Sequence, residues 1–328
     1  MEKKISVLFV CSGNSKNFEV APFIKSQGES LKAEGINVDY FLIKGKGLRG
    51  YWKAAGELRE ELKKRKTDII HAHYSLAALA GILSRPHKPI VVSLMGDDAY
   101  GEYYGVNKVR LSSRYLTLIT FLIQPFVKAI ISKSANIERY VYLKKKSNII
   151  PNGVNMDEFR MNEKKKELRT ELNLSTNKKL VLYLGNKMDP RKNFELVEKS
   201  VKKLNDSEIE IISPYPVAHQ LLPKYYNACD VFVMPAFMEG SPNVIKEAMA
   251  CGCPLVSTDV GDAKWVIGNT EGCYVSGFLP EEFAKKINVA LDFSQKFNRT
   301  NGAERICELG IDTKSTAKKI ADIYKKLI

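Results

Sequence analysis

Short apolar segments alternate with amphipathic segments twice along this chain of 328 residues, and this alternation limits the possible folds more than any other feature. Because strands that alternate with helices form parallel sheets, we expect βαβ units and a doubly wound sheet in each half. The first half contains strand-like runs at 5–10, 37–43, 68–71, 89–94 and 129–132. The second half contains strand-like runs at 180–184, 208–213, 231–234 and 255–258.

The turn-rich segment 148–154 separates the two series and is predicted to be a linker. We expect an α/β protein of two doubly wound domains that face each other across a cleft: residues 1–155, residues 156–312, and a helix at 313–328 that packs back on the first domain. Ligands of such sheets bind at the carboxyl ends of the strands, so the cleft is the expected site.

Composition places the chain among globular proteins, with 45% hydrophobic and 27% charged residues. No segment approaches the roughly 18 to 20 uncharged apolar residues that a membrane span requires. Only about six apolar positions follow residues 1–4, too few for the apolar core of a signal peptide. None of the six cysteines shows C-x-x-C spacing, which favours buried thiols over a zinc or redox site. We therefore expect a cytoplasmic protein.

The positive charge is concentrated in the first half of the chain. Residues 1–150 carry 25 Lys and Arg against 13 Asp and Glu, a net +12, whereas residues 151–328 carry 26 against 24. Such a half attracts an anionic partner: a phosphorylated acceptor, an acidic membrane surface or nucleic acid. Lysine runs such as 63–66 and 144–146 are equally typical of solvated helix ends, so the charge alone does not identify the partner.

The segment 234–250 contains the strongest signal for a binding site. A strand is expected to end at Met234 and a helix to begin near Ser241, with Ser241 as N-cap and Pro242 as the first helical residue. Gly240 allows a ligand to approach the backbone closely. The free amides and the dipole at such a helix start form an anion site that fits a diphosphate.

Two carboxylates flank this anion site. Glu239 precedes the helix, and Glu247 lies more than one turn into it. Each would repel a phosphate that it faced, but each can accept hydrogen bonds from neutral hydroxyls, those of ribose on one side and of a sugar on the other. Singly, each is better explained as an ion-pair or helix-dipole partner. Together they predict a site for a nucleotide sugar.

The spacing of Glu239 and Glu247 resembles the Glu-x7-Glu motif of retaining glycosyltransferases of family 4, which have the GT-B fold. Further blocks match this family in order along the chain, at 71–75, 151–159, 183–194, 227–235 and 247–261. Because these blocks extend over nearly the whole chain, the resemblance is specific for fold and class, but it does not specify the substrate.

The resemblance implies a role for each matching residue. Glu247 would hold the donor ribose, Glu239 would contact hydroxyls of the donor sugar, and Lys192 would neutralise the leaving diphosphate, whose charge grows as the glycosidic bond breaks. The diphosphate would lie against the backbone of Gly240, Ser241, Pro242, Asn243 and Val244. The family holds its donor without a metal, so no cofactor is expected.

Two positions depart from the family pattern. Asn186 stands where an arginine is usual, which leaves Arg191 or Lys192 to supply the positive charge. Met95 stands where a histidine usually contacts the donor sugar. The stretch between residues 213 and 229 is also shorter than usual.

Four residues of the first domain are candidates for the acceptor or the cleft. Gly13 and Asn14 lie in the polar loop after the first strand, and Asp98 lies in a loop that lines the cleft in the family pattern. His73 ends a strand with His71 and is a further candidate, although a buried, hydrogen-bonded histidine is an equal alternative.

The resemblance implies a retaining, hexosyltransferase-type enzyme that moves a sugar from a nucleoside diphosphate donor to a glycan or lipid-linked acceptor. It would be cytoplasmic, with peripheral contact at the inner face of an anionic membrane, and no nucleic acid is expected as partner. Two alternatives stay open. A nucleotide-sugar epimerase of the same fold would need acid and base residues at the donor sugar. A basic nucleic-acid-binding protein would need a recognition motif, and none is found.

Overall fold

Two parallel sheets organise the protein, whose computed structural model describes residues 4–15, 18–45 and 47–328. Residues 1–3, which enter the signal-peptide argument, lie outside this part. The chain divides into two units. The first contains the chain up to Glu102, Val109–Gly153 and Thr313–Ile328, and the second contains Tyr103–Lys108 and Val154–Asp312.

The strands are, in chain order, β1 (Ser6–Ser12), β2 (Asn37–Ile43), β3 (Ile69–His73), β4 (Ile90–Leu94), β5 (Tyr103–Gly105), β6 (Lys108–Val109), β7 (Ala129–Ser132), β8 (Ser147–Ile149), β9 (Lys179–Leu182), β10 (Ile209–Ile212), β11 (Val231–Met234), β12 (Leu255–Thr258) and β13 (Cys273–Ser276). The helices are α1 (Pro22–Ala33), α2 (Gly47–Lys64), α3 (Ser75–Leu83), α4 (Asp97–Tyr100), α5 (Arg114–Ile123), α6 (Ala135–Glu138), α7 (Lys165–Glu171), α8 (Phe194–Leu204), α9 (Leu222–Ala228), α10 (Asn243–Ala250), α11 (Ala263–Ile267), α12 (Pro280–Phe297), α13 (Gly302–Leu309) and α14 (Thr313–Lys325).

The first unit is built on six parallel strands in the order β2-β1-β3-β4-β7-β8. Strands such as β3 and β4 are buried along their whole length, because helices cover both faces of a parallel sheet. One apolar cluster joins the sheet to α2, α3 and α5, and another joins its opposite face to α1 and α14. The terminal helix α14 is therefore part of the core of this unit.

The second unit repeats the architecture with five parallel strands in the order β10-β9-β11-β12-β13. Leu182, Phe232 and Leu255 face the cluster formed with α9 and α10, whereas Val181 and Val233 face the cluster formed with α8 and α12. Two doubly wound parallel sheets confirm the predicted α/β class.

The sequence interpretation missed several elements. The predicted linker 148–154 overlaps β8, which pairs with β7 at the edge of the first sheet. Strand β13 and helices α12 and α13 were not predicted.

All six cysteines are free, and five are buried as expected, whereas Cys307 is exposed. Across the described ranges, no helix is long and apolar enough to cross a bilayer.

Candidate functional site

The loop between β11 and α10 carries the predicted site of the second unit. The loop follows the last residue of β11, the central strand of its sheet, so it lies at the carboxyl edge, where ligands of such sheets bind. Gly261, which follows the neighbouring strand β12, packs closely against this loop. It has φ +59°, and a Cβ there would lie 2.8 Å from the carbonyl oxygen of Gly240. No side chain fits at this close approach, so the position requires glycine.

The two predicted catalytic residues, Lys192 and Glu239, are in direct contact. The Nζ atom of Lys192 donates a hydrogen bond to Oε1 of Glu239, and the two side chains are 37% and 21% exposed. Both ends of the pair therefore remain accessible to a ligand. The structure places the basic group implied by the resemblance beside the first glutamate of the motif.

Two backbone contacts hold the segments that carry this pair. The amide of Phe237 donates to the carbonyl oxygen of Arg191 at 2.9 Å. The side-chain amide of Asn193 donates to the carbonyl oxygen of Pro235 at 3.0 Å. Asn193 is left-handed, with φ 51°, a conformation that asparagine tolerates better than most residues. The loops after β9 and β11 are thus joined on both sides of Lys192.

Arg191 and Asn186, the other two candidates of the loop after β9, form hydrogen bonds within that loop. The guanidinium of Arg191 donates to Asp189 Oδ2 at 2.8 Å. The side-chain oxygen of Asn186 accepts from the amide of Met188 at 3.0 Å. Lys192 contacts Glu239, and Arg191 contacts its acidic neighbour Asp189.

Glu247 is almost entirely buried, and its carboxylate is held by two aromatic residues. The hydroxyl of Tyr226 donates to Oε2 at 3.0 Å, and Nε2 of His219 lies 3.6 Å from Oε1. Burial, followed by Glu247, raises the pKa of Tyr226 far above its ordinary value, so the hydroxyl is protonated and donates. The Glu247 carboxylate also raises the pKa of His219. The second glutamate is thus oriented before any ligand arrives.

Tyr226 and His219 are functional candidates that the sequence interpretation missed. It assigned His219 to the surface; the side chain is 37% exposed, and its Nδ1 also lies 3.3 Å from Glu158. Tyr226 is fully buried in α9, where its sequence context is that of an ordinary core aromatic. The block 227–235, which matches the family, begins one residue after Tyr226. This adjacent match was the signal in the sequence that could have identified Tyr226 as a candidate.

The start of α10 differs from the prediction. The helix begins at Asn243, and Pro242 is its N-cap rather than its first helical residue, so Ser241 lies one residue before the cap. The Ser241 hydroxyl instead donates to Asp262 at 2.7 Å and accepts from Lys246, whose Nζ lies 3.1 Å from the same carboxylate. A buried ion pair competes for this hydroxyl, so the N-cap assignment of Ser241 was wrong. Asn243 and Val244 begin the helix, with their amides at its positive end.

Lys246 and Asp262 form a buried ion pair beneath this helix start. Their side chains are 0% and 4% exposed. Burial lowers the pKa of Lys246, and Asp262 opposes that shift. The pair connects α10 to the segment before α11, so it fixes the loop that carries Gly240 and Ser241.

The four candidates of the first unit lie at the carboxyl edge of its sheet. The amide of Gly13 donates to Ile43, and the side chain of Asn14 forms two 2.8 Å hydrogen bonds with the backbone of Gly45. Asp98 is fully buried and accepts three backbone hydrogen bonds of 2.9 Å, from Ser75, Met95 and Gly96. Burial, followed by Asp97, raises the pKa of Asp98 to about 7. Contact of these residues with an acceptor stays a prediction.

His73 is buried with its ring 4.4 Å from that of His71 and 4.5 Å from that of Phe9. Its neighbour His71 is hydrogen-bonded to Tyr324 and Ser93 at 2.5 and 2.8 Å. Neither ring nitrogen of His73 has a hydrogen-bond partner among the described residues. Burial lowers the pKa of both histidines, so both are neutral at pH 7. His71 is therefore the buried, hydrogen-bonded histidine of the two.

Within residues 4–15, 18–45 and 47–328, no three His, Cys, Asp or Glu side chains lie close enough together to hold a metal ion.

Two family models match the chain. The model described as Glycosyltransferase Family 4 matches residues 2–158, and the model described as Glycosyl transferases group 1 matches residues 175–292. A putative teichuronic acid biosynthesis glycosyltransferase of Bacillus subtilis is 25% identical over 72% of this chain and 64% of its own length. An Escherichia coli UDP-Gal:alpha-D-GlcNAc-diphosphoundecaprenol alpha-1,3-galactosyltransferase is 25% identical over 70% of this chain and 66% of its own length. This chain thus spans just under two thirds of either relative.

Solved structures share the fold over nearly the full chain. Sucrose-phosphate synthase from Thermosynechococcus elongatus matches with a TM-score of 0.80 and 19% identity, over 99% of each chain. HepE of Anabaena, in complex with UDP and glucose, matches with a TM-score of 0.73 and 15% identity, over 99% of this chain and 100% of its own.

Proposed function

The chain belongs to glycosyltransferase family 4 and has the GT-B fold, and from this premise we propose that it transfers a hexose-type sugar from a nucleoside diphosphate donor to a glycan or lipid-linked acceptor. The reaction would retain the configuration of the sugar. Relatives named for teichuronic acid synthesis and for galactosyl transfer to a diphosphoundecaprenol-linked sugar support a role in cell-envelope glycan synthesis.

One observation carries the proposal: Lys192 contacts Glu239 beside the start of α10. An anion that reaches the amides of Asn243 and Val244 meets a helix dipole and an ammonium together. Each favours a diphosphate, and their combined effect exceeds that of either alone.

The proposed mechanism assigns one task to each group. Glu247, held by Tyr226 and His219, accepts hydrogen bonds from the ribose hydroxyls. Glu239 accepts hydrogen bonds from hydroxyls of the donor sugar, and the backbone of 240–244 binds the diphosphate. Lys192 neutralises the charge that develops on the diphosphate as the glycosidic bond breaks. The acceptor hydroxyl attacks from the face that the diphosphate leaves and gives its proton to a departing diphosphate oxygen. The new glycosidic bond thus replaces the broken one on the same face, which retains the configuration.

The acceptor is assigned to the basic first unit. Its excess of positive charge suits a phosphorylated or diphosphate-linked acceptor, and it also suits an anionic membrane at whose inner face such an acceptor is held. We propose that the enzyme works there peripherally and needs no metal for donor binding.

The test is incubation of the protein with UDP-sugars and GDP-sugars, with nucleoside diphosphate release as the readout. Slow release from one donor, reduced by about 10² to 10³ in Lys192→Met and retained in the surface variant Lys202→Met, supports the proposal. Isomerisation of the sugar without release would support an epimerase. Absence of both reactions, together with tight retention of oligonucleotides, would support a nucleic-acid-binding protein.

A further inference from the structure

Helix α5 has apolar side chains on two faces, and only one of them is buried. Leu116, Ile119 and Ile123 pack into the core of the first unit. Leu118 and Leu122, one turn apart on the other face, are 59% and 60% exposed. A surface helix normally carries polar residues on its outer face, so this second apolar face needs an explanation.

The exposed face continues beyond both ends of the helix. Leu111 before it is 77% exposed, and Phe126 after it is 66% exposed. We call this surface the apolar ridge, and its members are Leu111, Tyr115, Leu118, Phe121, Leu122 and Phe126. The ring of Phe121 stacks on that of Tyr142, also exposed, with centroids 6.1 Å apart. Contiguous exposed apolar side chains of this kind mark an interaction surface.

The residues around the ridge are predominantly basic. The segment 108–146 contains nine Lys and Arg residues and one acidic residue, Glu138. Lys144 lies 3.0 Å from Glu138, which removes that negative charge from the surface. Arg114, Lys128 and Lys145 are exposed. The partner of the ridge must therefore be apolar in its interior and anionic at its surface.

An anionic bilayer has this combination, and we propose that the apolar ridge inserts into the headgroup region of a membrane rich in anionic phospholipid while the basic residues contact the phosphates. Helix α5 has ten residues, about 15 Å at 1.5 Å per residue, so it lies along the interface and does not cross it. A second copy of this chain fits less well because its ridge would bring a second set of positive charges against the first.

The test is flotation of the full chain with phosphatidylcholine vesicles that contain or lack phosphatidylglycerol, without any sugar nucleotide. We expect flotation with the anionic vesicles, weakened by salt. The double variant Leu118→Ser with Leu122→Ser should lower the partition coefficient at least about tenfold. Lys128→Gln with Lys145→Gln should lower it and reduce its salt dependence. Leu279→Ser, at a position 66% exposed in the second unit, is the matched control and should bind like the wild type.

This surface would make the peripheral membrane contact proposed above, and in that respect it rests on the proposed function. Flotation and donor turnover are measured separately, so failure of one is distinguishable from failure of the other. Unchanged thermal unfolding of the variants would show that they fold. Three outcomes overturn the proposal: absence of wild-type flotation with anionic vesicles, equal flotation of the leucine variant, or a concentration-dependent dimer in sedimentation that the leucine substitutions abolish.

Discussion

The ammonium of Lys192 donates a hydrogen bond to Glu239 across 47 positions of the sequence. The pair lies beside the start of α10, so the ammonium offsets a negative charge that would otherwise repel a diphosphate there. In the reaction proposed above, Lys192 turns to the diphosphate when a donor enters, while Glu239 turns to the sugar hydroxyls. The two groups would then act on the two sides of the bond that breaks.

Replacement of Lys192 by methionine should slow turnover by about 10² to 10³, the range found when one charge-stabilising donor is removed. Glu239 would also lose the ammonium that offsets its negative charge, so it would repel the donor more strongly and raise the donor's KM. Lys192→Arg should keep part of the rate because the positive charge remains. Steady-state kinetics with the preferred donor measure both effects, with Lys202→Met as control. Wild-type kcat in Lys192→Met would remove this lysine from the mechanism.

Glu247→Ala should act mainly on donor affinity, since the proposed contact with the ribose is present in ground state and transition state alike. A hydrogen bond to a charged group contributes about 1.5–3 kcal/mol, so the Kd for the nucleoside diphosphate should rise about 10-fold to 100-fold. Isothermal titration measures this change.

Tyr226→Phe is the companion variant, because it removes the 3.0 Å hydrogen bond to Glu247 and leaves the carboxylate in place. We expect a smaller loss of nucleotide affinity than in Glu247→Ala. If Glu247→Ala bound the nucleotide like the wild type while Tyr226→Phe did not, the ribose contact would lie elsewhere.

Local spacing explains why the two glutamates could be predicted. Glu239 and Glu247 are positioned by one strand, one loop and one helix, so the sequence alone sets where they lie relative to α10. The contact between Lys192 and Glu239 is different. It requires β9 and β11 to be neighbours with β10 at the edge of the sheet, and strand order is not contained in a local pattern. The family resemblance supplied Lys192 where periodicity could not.

The surroundings of the site were not predictable for the same reason. Serine is a favoured N-cap residue, but the Ser241 hydroxyl donates its hydrogen bond to Asp262, 21 positions away. His219 lies in a short 3₁₀ turn and reaches Glu247 through the packing of α9 against α10. Partners distant in the chain override the local preference in both cases.

The buried pair of Lys246 and Asp262 leads to a prediction about stability. Lys246→Met should lower the free energy of unfolding by about 3–5 kcal/mol, because it leaves a buried carboxylate without its cation. Lys246→Met combined with Asp262→Asn should lose less, since no charge is then buried alone. Urea unfolding of the single and double variants gives the coupling energy. Additive losses would mean that the two charges do not interact.

Chelation of divalent cations should leave turnover unchanged. The positive charge that we propose for binding the diphosphate comes from Lys192 and from the start of α10. The adjacent acidic residues Asp97 and Asp98 are poor candidates for a metal, since the Asp98 carboxylate already accepts three backbone hydrogen bonds. Donor hydrolysis with and without EDTA is the measurement. A loss of rate that Mg²⁺ restores would assign the charge to a metal.

The buried histidines should make stability depend on pH. Burial lowers the pKa of His71 and His73 in the folded state, so the unfolded chain binds protons below its ordinary pKa of about 6.5 and the folded chain does not. Stability is therefore full above that pH and falls as the pH drops below it, by up to about 1.4 kcal/mol per pH unit for each histidine.

Asp98 and His219 have pKa values shifted upward, so they stabilise the folded state as the pH falls and partly mask the histidines. The decisive quantity is therefore the difference between the pH slopes of wild type and His73→Leu. Urea unfolding at pH 7.5 and 5.5 should show that His73→Leu loses less free energy of unfolding on acidification than the wild type, because one proton fewer is taken up on unfolding.

His87→Gln, at an exposed position, should keep the wild-type slope. Equal slopes in His73→Leu and wild type would mean that His73 titrates in the folded protein as it does in the unfolded chain, and that its environment is hydrated.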